Sequence, residues 1–322
     1  MTDETPGAVN AAGGAPPSRL AVALAFAAVY VIWGSTYLAI LICLETMPPF
    51  LMAGLRFLVA GALLHAWRRW RGDPPPTRRQ WAGALLIGGL LFAGGNGGVV
   101  WSEQRVPSGI AALLVASVPA WMVMMLWLGG KRPGAQVLAG LVVGLLGVAV
   151  LVRPGGDALT AVDGLGATAL LVGSGCWAAG SLISRRVDLP ASALMSTSLQ
   201  MLCGGALMTV AGLAGGEAAR FHPSAFTLRS IIALAYLVSF GSLLAFSCYA
   251  WLLRVSTPAR VSTYAYVNPV VAVLLGWLFA GEILSARVVV AGALVLVAVV
   301  LMTTGGRSPR APAVSSDGTA AT

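Results

Sequence analysis

Charge is what this sequence has least of. Only 10% of its 322 residues are charged, against about 25% in an ordinary soluble domain. A water-facing surface of this size needs far more, so a soluble fold is excluded and lipid is the solvent for most of the chain. Cysteine is scarce as well. Cys43, Cys176, Cys203 and Cys248 lie in or at the edges of apolar runs with no metal-type spacing, which argues against a disulfide framework or zinc site and for small apolar packing residues. The two histidines, His65 and His222, fall near opposite membrane faces. There is no HExxH, no Ser/His/Asp arrangement and no Walker-type phosphate loop. No catalytic residue, metal or cofactor is therefore expected, and the chain reads as a non-enzyme without an ATP-hydrolysing domain.

What is present is apolar sequence and glycine: 58% hydrophobic residues and 40 glycines. Small residues let membrane helices pack closely. A spanning helix needs about 20 apolar residues. Ten runs meet this, over 20–43, 48–67, 81–101, 107–128, 134–152, 163–184, 191–213, 229–252, 258–280 and 286–304. The first run is long enough to span and no plain cleavage site follows it, so it is expected to stay as a helix. Residues 1–19 and 305–322 are expected to be disordered cytoplasmic tails.

The net charge of +9 belongs to the loops, not to a nucleic-acid partner. With the N-terminus in the cytoplasm, fourteen basic residues fall inside and five outside, and Arg56 is left within a span. The positive-inside rule then puts both termini in the cytoplasm. Five helices per half would make a second copy insert upside down. Trp33-Gly34-Ser35 in the first helix resembles Trp177 with Gly180-Ser181 in the sixth, and Trp101 and Pro119 recur as Trp251 and Pro269. The expectation is an all-α polytopic membrane protein of ten transmembrane helices in two inverted five-helix repeats, 20–152 and 163–304. A proline within a helix frees the carbonyl four residues earlier, here those of Val115 and Ala265. Interrupted helices at matching places in two halves point to a midplane transport site, so Pro119 and Pro269 are candidate gating kinks. Simple kinks between packed helices are the competing account.

Several stretches resemble a known family. Val31-Ile32-Trp33-Gly34-Ser35-Thr36-Tyr37, and Pro48-Pro49-Phe50 followed by Arg56-Phe57, are similar to the opening of the EamA family in the drug/metabolite transporter superfamily. Gly95-Asn96-Gly97, Val106–Ala112, the run from Ser262 to Gly276 and Gly281-Glu282 are similar to its YedA-like branch. The resemblance covers about 20–304. It implies two inverted five-helix repeats and export of metabolites, amino acids or drugs across a bacterial cytoplasmic membrane. One departure is that Lys131-Arg132 stands in the first half where the second has Gly281-Glu282.

Arg56 is the most informative side chain. An arginine at a helix centre costs about 2.5–3.5 kcal/mol on insertion scales and should face a cavity or a partner. It either binds an anionic group of the solute through a two-pronged hydrogen bond, or bonds helix carbonyls, or reaches outward toward Glu45 or Glu103. Trp33 and Tyr37 share one helix face, as do Trp177 and Ser181, and as do Tyr264 and Asn268. Aromatic walls with a few polar handles suit a small-molecule pocket; bundle packing is the alternative. Asn96, between glycine pairs, is a further candidate for a solute or a cross-helix bond. Gly140 and Gly144 carry small-xxx-small spacing and read as packing. No acid falls near mid-membrane, so proton antiport would have to run through Glu45, Glu103 or Glu282, or through the solute itself, with downhill export as the alternative. The expected partners are the lipid bilayer and a small organic solute; the oligomeric state stays open.

Overall fold

A computed structural model describes residues 18–130, 132–152, 162–256, 261 and 263–304. Residues 1–17 of the tail expected at 1–19, the tail expected at 305–322, Lys131, Arg260 and most of the 153–162 loop lie outside the described residues; of the expected first tail, Ser18 instead caps the first helix and Arg19 begins it.

Every regular element among the described residues is helical. Apart from two short 3-10 turns at Glu217–Arg220 and Pro223–Ala225, in chain order they are α1 (Arg19–Leu44), α2 (Pro49–Trp70), α3 (Arg78–Ser102), α4 (Ser108–Leu128), α5 (Ala135–Val152), α6 (Gly164–Ile183), α7 (Ala193–Ala214), α8 (Leu228–Val255), α9 (Tyr264–Phe279) and α10 (Ala286–Thr304). Seven of them are long and apolar enough to cross a membrane; α5, α9 and α10 are shorter apolar helices. The bounds match the apolar runs to within a few residues, except that the run expected from 258 begins outside the described residues.

Side chains at the starts of the helices explain where they begin. Ser18, Asp163, Ser192 and Thr227 each accept from a backbone N–H of the first turn, and Thr77 forms a reciprocal capping box with Gln80. Where proline stands at the start there is no such local cap, as at Pro48 before α2 and Pro107 before α4. Each borrows a carboxylate from far along the chain. Glu217 accepts from the N–H groups of Phe50 (3.2 Å) and Leu51 (2.9 Å). Glu282 accepts from Ser108 N–H (2.5 Å), Ser108 Oγ (2.6 Å) and Gly109 N–H (2.9 Å). A carboxylate at a helix N-terminus satisfies orphan donors and complements the helix dipole. This accounts for Gly281-Glu282: in the second half it caps a helix of the first.

Two helices depart from α-geometry in mid-course. Gly89–Asn96 of α3 and Leu237–Leu244 of α8 are π-helical. Helix α4 is interrupted at Ala116 and Ser117, and Pro119 stands in the first turn of its second segment, where the missing N–H costs nothing. Helix α9 runs unbroken through Pro269. The two prolines therefore sit in different local settings, unlike the matched pair of interruptions expected from the sequence.

The most extensive helix pairings are α2 with α7 and α5 with α10. Helix α1 lies against α8 and α9, while α6 lies against α3 and α4. Close approach depends on small residues. A Cβ on Gly140 would sit 2.9 Å from Leu301 and Met302 of α10, and one on Gly144 would sit 3.1 Å from Ala298. The small-residue spacing of α5 thus serves packing within the chain. The bundle is inverted relative to a soluble protein. Val142, Leu145, Val172, Val210, Ile232 and Val297 are exposed on its outside, while Arg56, Ser174, Ser198, Gln200, Ser242 and Asn268 are buried within. Only a lipid solvent makes that distribution favourable.

Candidate functional site

The π-helical segment of α8 is where polar and aromatic groups of several helices converge. A π-turn inserts an extra residue and leaves backbone carbonyls turned out of the regular ladder, and such segments gather at functional sites. Trp33 of α1 donates from Nε1 to the carbonyl of Gly241 at 3.3 Å. Arg56 of α2 donates from Nε to Ser242 Oγ at 2.9 Å. Arg56 is 3% exposed, and its guanidinium carbon lies 4.6 Å from the centre of the Phe57 ring. Its terminal amino groups lie beside Gly241 and make no hydrogen bond or ion pair among the described residues. Beside them, Ser35 Oγ and Tyr236 Oη are 2.6 Å apart, and Tyr236 stacks on Phe240. An arginine held by one nitrogen, with its fork free, is equipped to take a carboxylate or other anion.

Aromatic rings connect this centre to the π-helical segment of α3. Trp33 contacts Phe246, Tyr249 and Tyr264 with centroids 5.1 to 5.3 Å apart. Phe246 contacts Phe92 at 5.7 Å, and Phe92 contacts Phe57 at 4.7 Å. Phe92 belongs to the π-segment of α3 and is fully buried.

The expected site residues divide. Trp33, Arg56 and Tyr264 come together around α8. Tyr37, one turn from Trp33, packs in a different apolar cluster with Val106, Ile110 and Leu114. Trp177 lies against Gly95 of α3, where a Cβ would be 3.0 Å from its ring. Ser181 donates back to Trp177 O at 2.8 Å, and Asn96 donates to Leu91 O at 3.3 Å within the π-segment. Asn268, with its amide oriented to suit its neighbours, donates to the carbonyls of Tyr264 and Tyr30, each at 3.2 Å, and so ties α9 to α1. Ser181, Asn96 and Asn268 thus each donate to backbone carbonyls. Sequence reasoning missed Ser242, Tyr236, Phe92 and Phe246. Among the described residues, no three His, Cys, Asp or Glu side chains are grouped to hold a metal ion.

An inside-out helical bundle with a buried, half-engaged arginine among aromatic rings defines a polytopic membrane protein of the transporter class. The chain belongs to the EamA-like transporter family, whose sequence profile matches residues 20–153 and again 164–304. Transporter, not enzyme, is the family's character. The chain is 42% identical over 279 residues to the inner membrane transporter YedA of Escherichia coli (strain K12), covering 86% of this chain and 89% of that one. It is 26% identical to protein PagO of Salmonella typhimurium, covering 80% of this chain and 84% of that one. It is also 26% identical to the WAT1-related protein At3g02690, chloroplastic, of Arabidopsis thaliana, covering 84% and 66% respectively. A crystal structure with 24% identity shares the fold at a TM-score of 0.59, over 89% of this chain and 98% of that one.

Proposed function

We propose that this chain is a secondary transporter that exports a small organic solute, a metabolite, amino acid or drug-like compound, across a bacterial cytoplasmic membrane by alternating access. All ten apolar helices span in this reading, as two inverted five-helix repeats over 20–152 and 163–304 with both termini in the cytoplasm. Raising each helix number by five supports it. The α1–α9 and α1–α8 pairings become α6–α4 and α6–α3, and α2–α7 and α5–α10 map onto themselves. The two π-segments fall in α3 and α8, which correspond under the same shift. YedA is by name an inner membrane transporter, which supports the location.

The observation that carries the reading is Arg56, buried with one nitrogen bonded to Ser242 and its fork unclaimed among the described residues. The solute's anionic group meets that fork, and the rings of Trp33, Phe246 and Tyr264 pack its apolar part. The π-segments, the break before Pro119 and the Pro269 turn are the places where the halves flex. The test is efflux from proteoliposomes loaded with a panel of amino acids and amphipathic drugs. Saturable efflux of at least one compound, lost in Arg56→Ala, is expected. Release indistinguishable from protein-free vesicles across the whole panel overturns the proposal.

A further inference from the structure

Glu103 follows the last residue of α3 and is 3% exposed. Both of its carboxylate oxygens are closed off from solvent, and neither has a hydrogen-bond partner. Arg105, two residues on, is turned to Asp163 at 3.8 Å and over the Trp101 ring at 5.0 Å. The groups that face Glu103 electrostatically come from three directions: Tyr37 and Cys43 of α1, Arg56 of α2, and Glu282 from the segment between α9 and α10. Arg56 is not within ion-pair distance of it.

The contrast with Glu282 is instructive. Glu282 accepts three hydrogen bonds at the start of α4, and Glu103 accepts none. A charged carboxylate buried without donors is costly, and a second carboxylate nearby adds to the cost; a proton removes both. We propose that Glu103 is a proton-binding site, carrying a proton in the closed arrangement of the helices and yielding it when that end of α3 opens to water. Burial first, then the Glu282 carboxylate, raises the Glu103 carboxyl well above the ordinary carboxylate range, while Arg56 pulls the other way.

The proposal rests on the transport reading for its consequence. With Glu103 neutral, Arg56 has no nearby counter-charge and attracts an anion; with Glu103 ionised, that attraction weakens. A proton on Glu103 and an anion at Arg56 favour one another. By linkage, each raises the other's affinity by the same factor.

Infrared difference spectra of the full chain in lipid, titrated with acid and base, test the site without any solute. A carboxylic C=O stretch is expected at neutral pH in the wild type, moving on deuteration, absent in Glu103→Gln and retained in Glu45→Gln. No protonated carboxyl at neutral pH in the wild type overturns the proposal, even if the variants fail to fold. A band that persists in both Glu103→Gln and Glu103→Ala also overturns it. Failure of the efflux experiment leaves this band untouched, so the two readings fail separately.

Discussion

Arg56 and Ser242 meet at 2.9 Å across the gap between α2 and the π-helical segment of α8, 186 residues apart in the chain. The pair joins the most costly side chain in the bundle to the backbone feature that distorts α8. Ser242 is fully buried, so its loss leaves the Nε–H of Arg56 without an acceptor. Ser242→Ala is expected to destabilise the protein by about 1–3 kcal/mol. Thermal unfolding in detergent checks it; a change within error places no weight on this bond.

Arg56→Lys keeps the charge and removes the fork. If the fork grips a carboxylate, the apparent affinity for the transported solute is expected to fall about tenfold or more, since loss of one charge-assisted bond is worth roughly 1.5–3 kcal/mol. Efflux rates at a series of internal concentrations measure it. Unchanged affinity and rate argue that Arg56 is only a structural tie to Ser242.

Glu282 holds the N-terminus of α4 through three hydrogen bonds, whereas Glu45 pairs with Arg229 at 3.2 Å on an exposed rim. Glu282→Gln should therefore cost about 1–3 kcal/mol, and Glu45→Gln less than about 1 kcal/mol. Paired unfolding curves test the order. Equal effects sink the capping argument.

Gly34 lets α1 touch α9. A Cβ there would come within 2.6 Å of Val271 Cβ and 3.1 Å of the Asn268 carbonyl, while Gly134 has nothing within 4 Å. Gly34→Ala is expected to destabilise by roughly 1–3 kcal/mol through overpacking, with Gly134→Ala near neutral. The difference in midpoint between the two variants is the measurement.

Asp73 lies in the turn after α2, where Arg68 donates to it from Nε at 2.9 Å and from the terminal nitrogen at 2.5 Å. The Arg68 hydrogen bond, foremost, holds the Asp73 carboxyl below its ordinary value. A depressed acid contributes stability above its unfolded value and loses it as pH falls through the folded one. Asp73→Asn should flatten the acid side of the stability profile and leave neutral-pH transport unchanged. An acid limb identical to the wild type rejects the assignment.

The helices were legible because each apolar run is long and is bounded by charges, glycine or proline. The expected 191–213 became Ala193–Ala214, and 286–304 became Ala286–Thr304. Arg56 was legible because a lone charge in an apolar run is conspicuous. Its partner was not, since a serine in mid-helix is unremarkable until the helix around it unwinds. The π-segments were hidden for a related reason: α- and π-turns draw on the same residues, and packing decides between them. The glycine pairs around Asn96 were a weak sign of one. Pro48 and Pro107, which leave two helix starts without a local cap, were a usable sign that a carboxylate must arrive from elsewhere.

The linear chain alone decided the solvent, the lengths of the helices and which one carries a buried charge, because hydropathy and proline act over single turns and single spans. Tertiary packing alone decided that Glu217 and Glu282 cap helices of the other half, that Arg56 meets Ser242, and that Glu103 is enclosed with no donor. Those outcomes depend on contacts between helices more than a hundred residues apart, except for Glu103, whose burial depends on what closes over it.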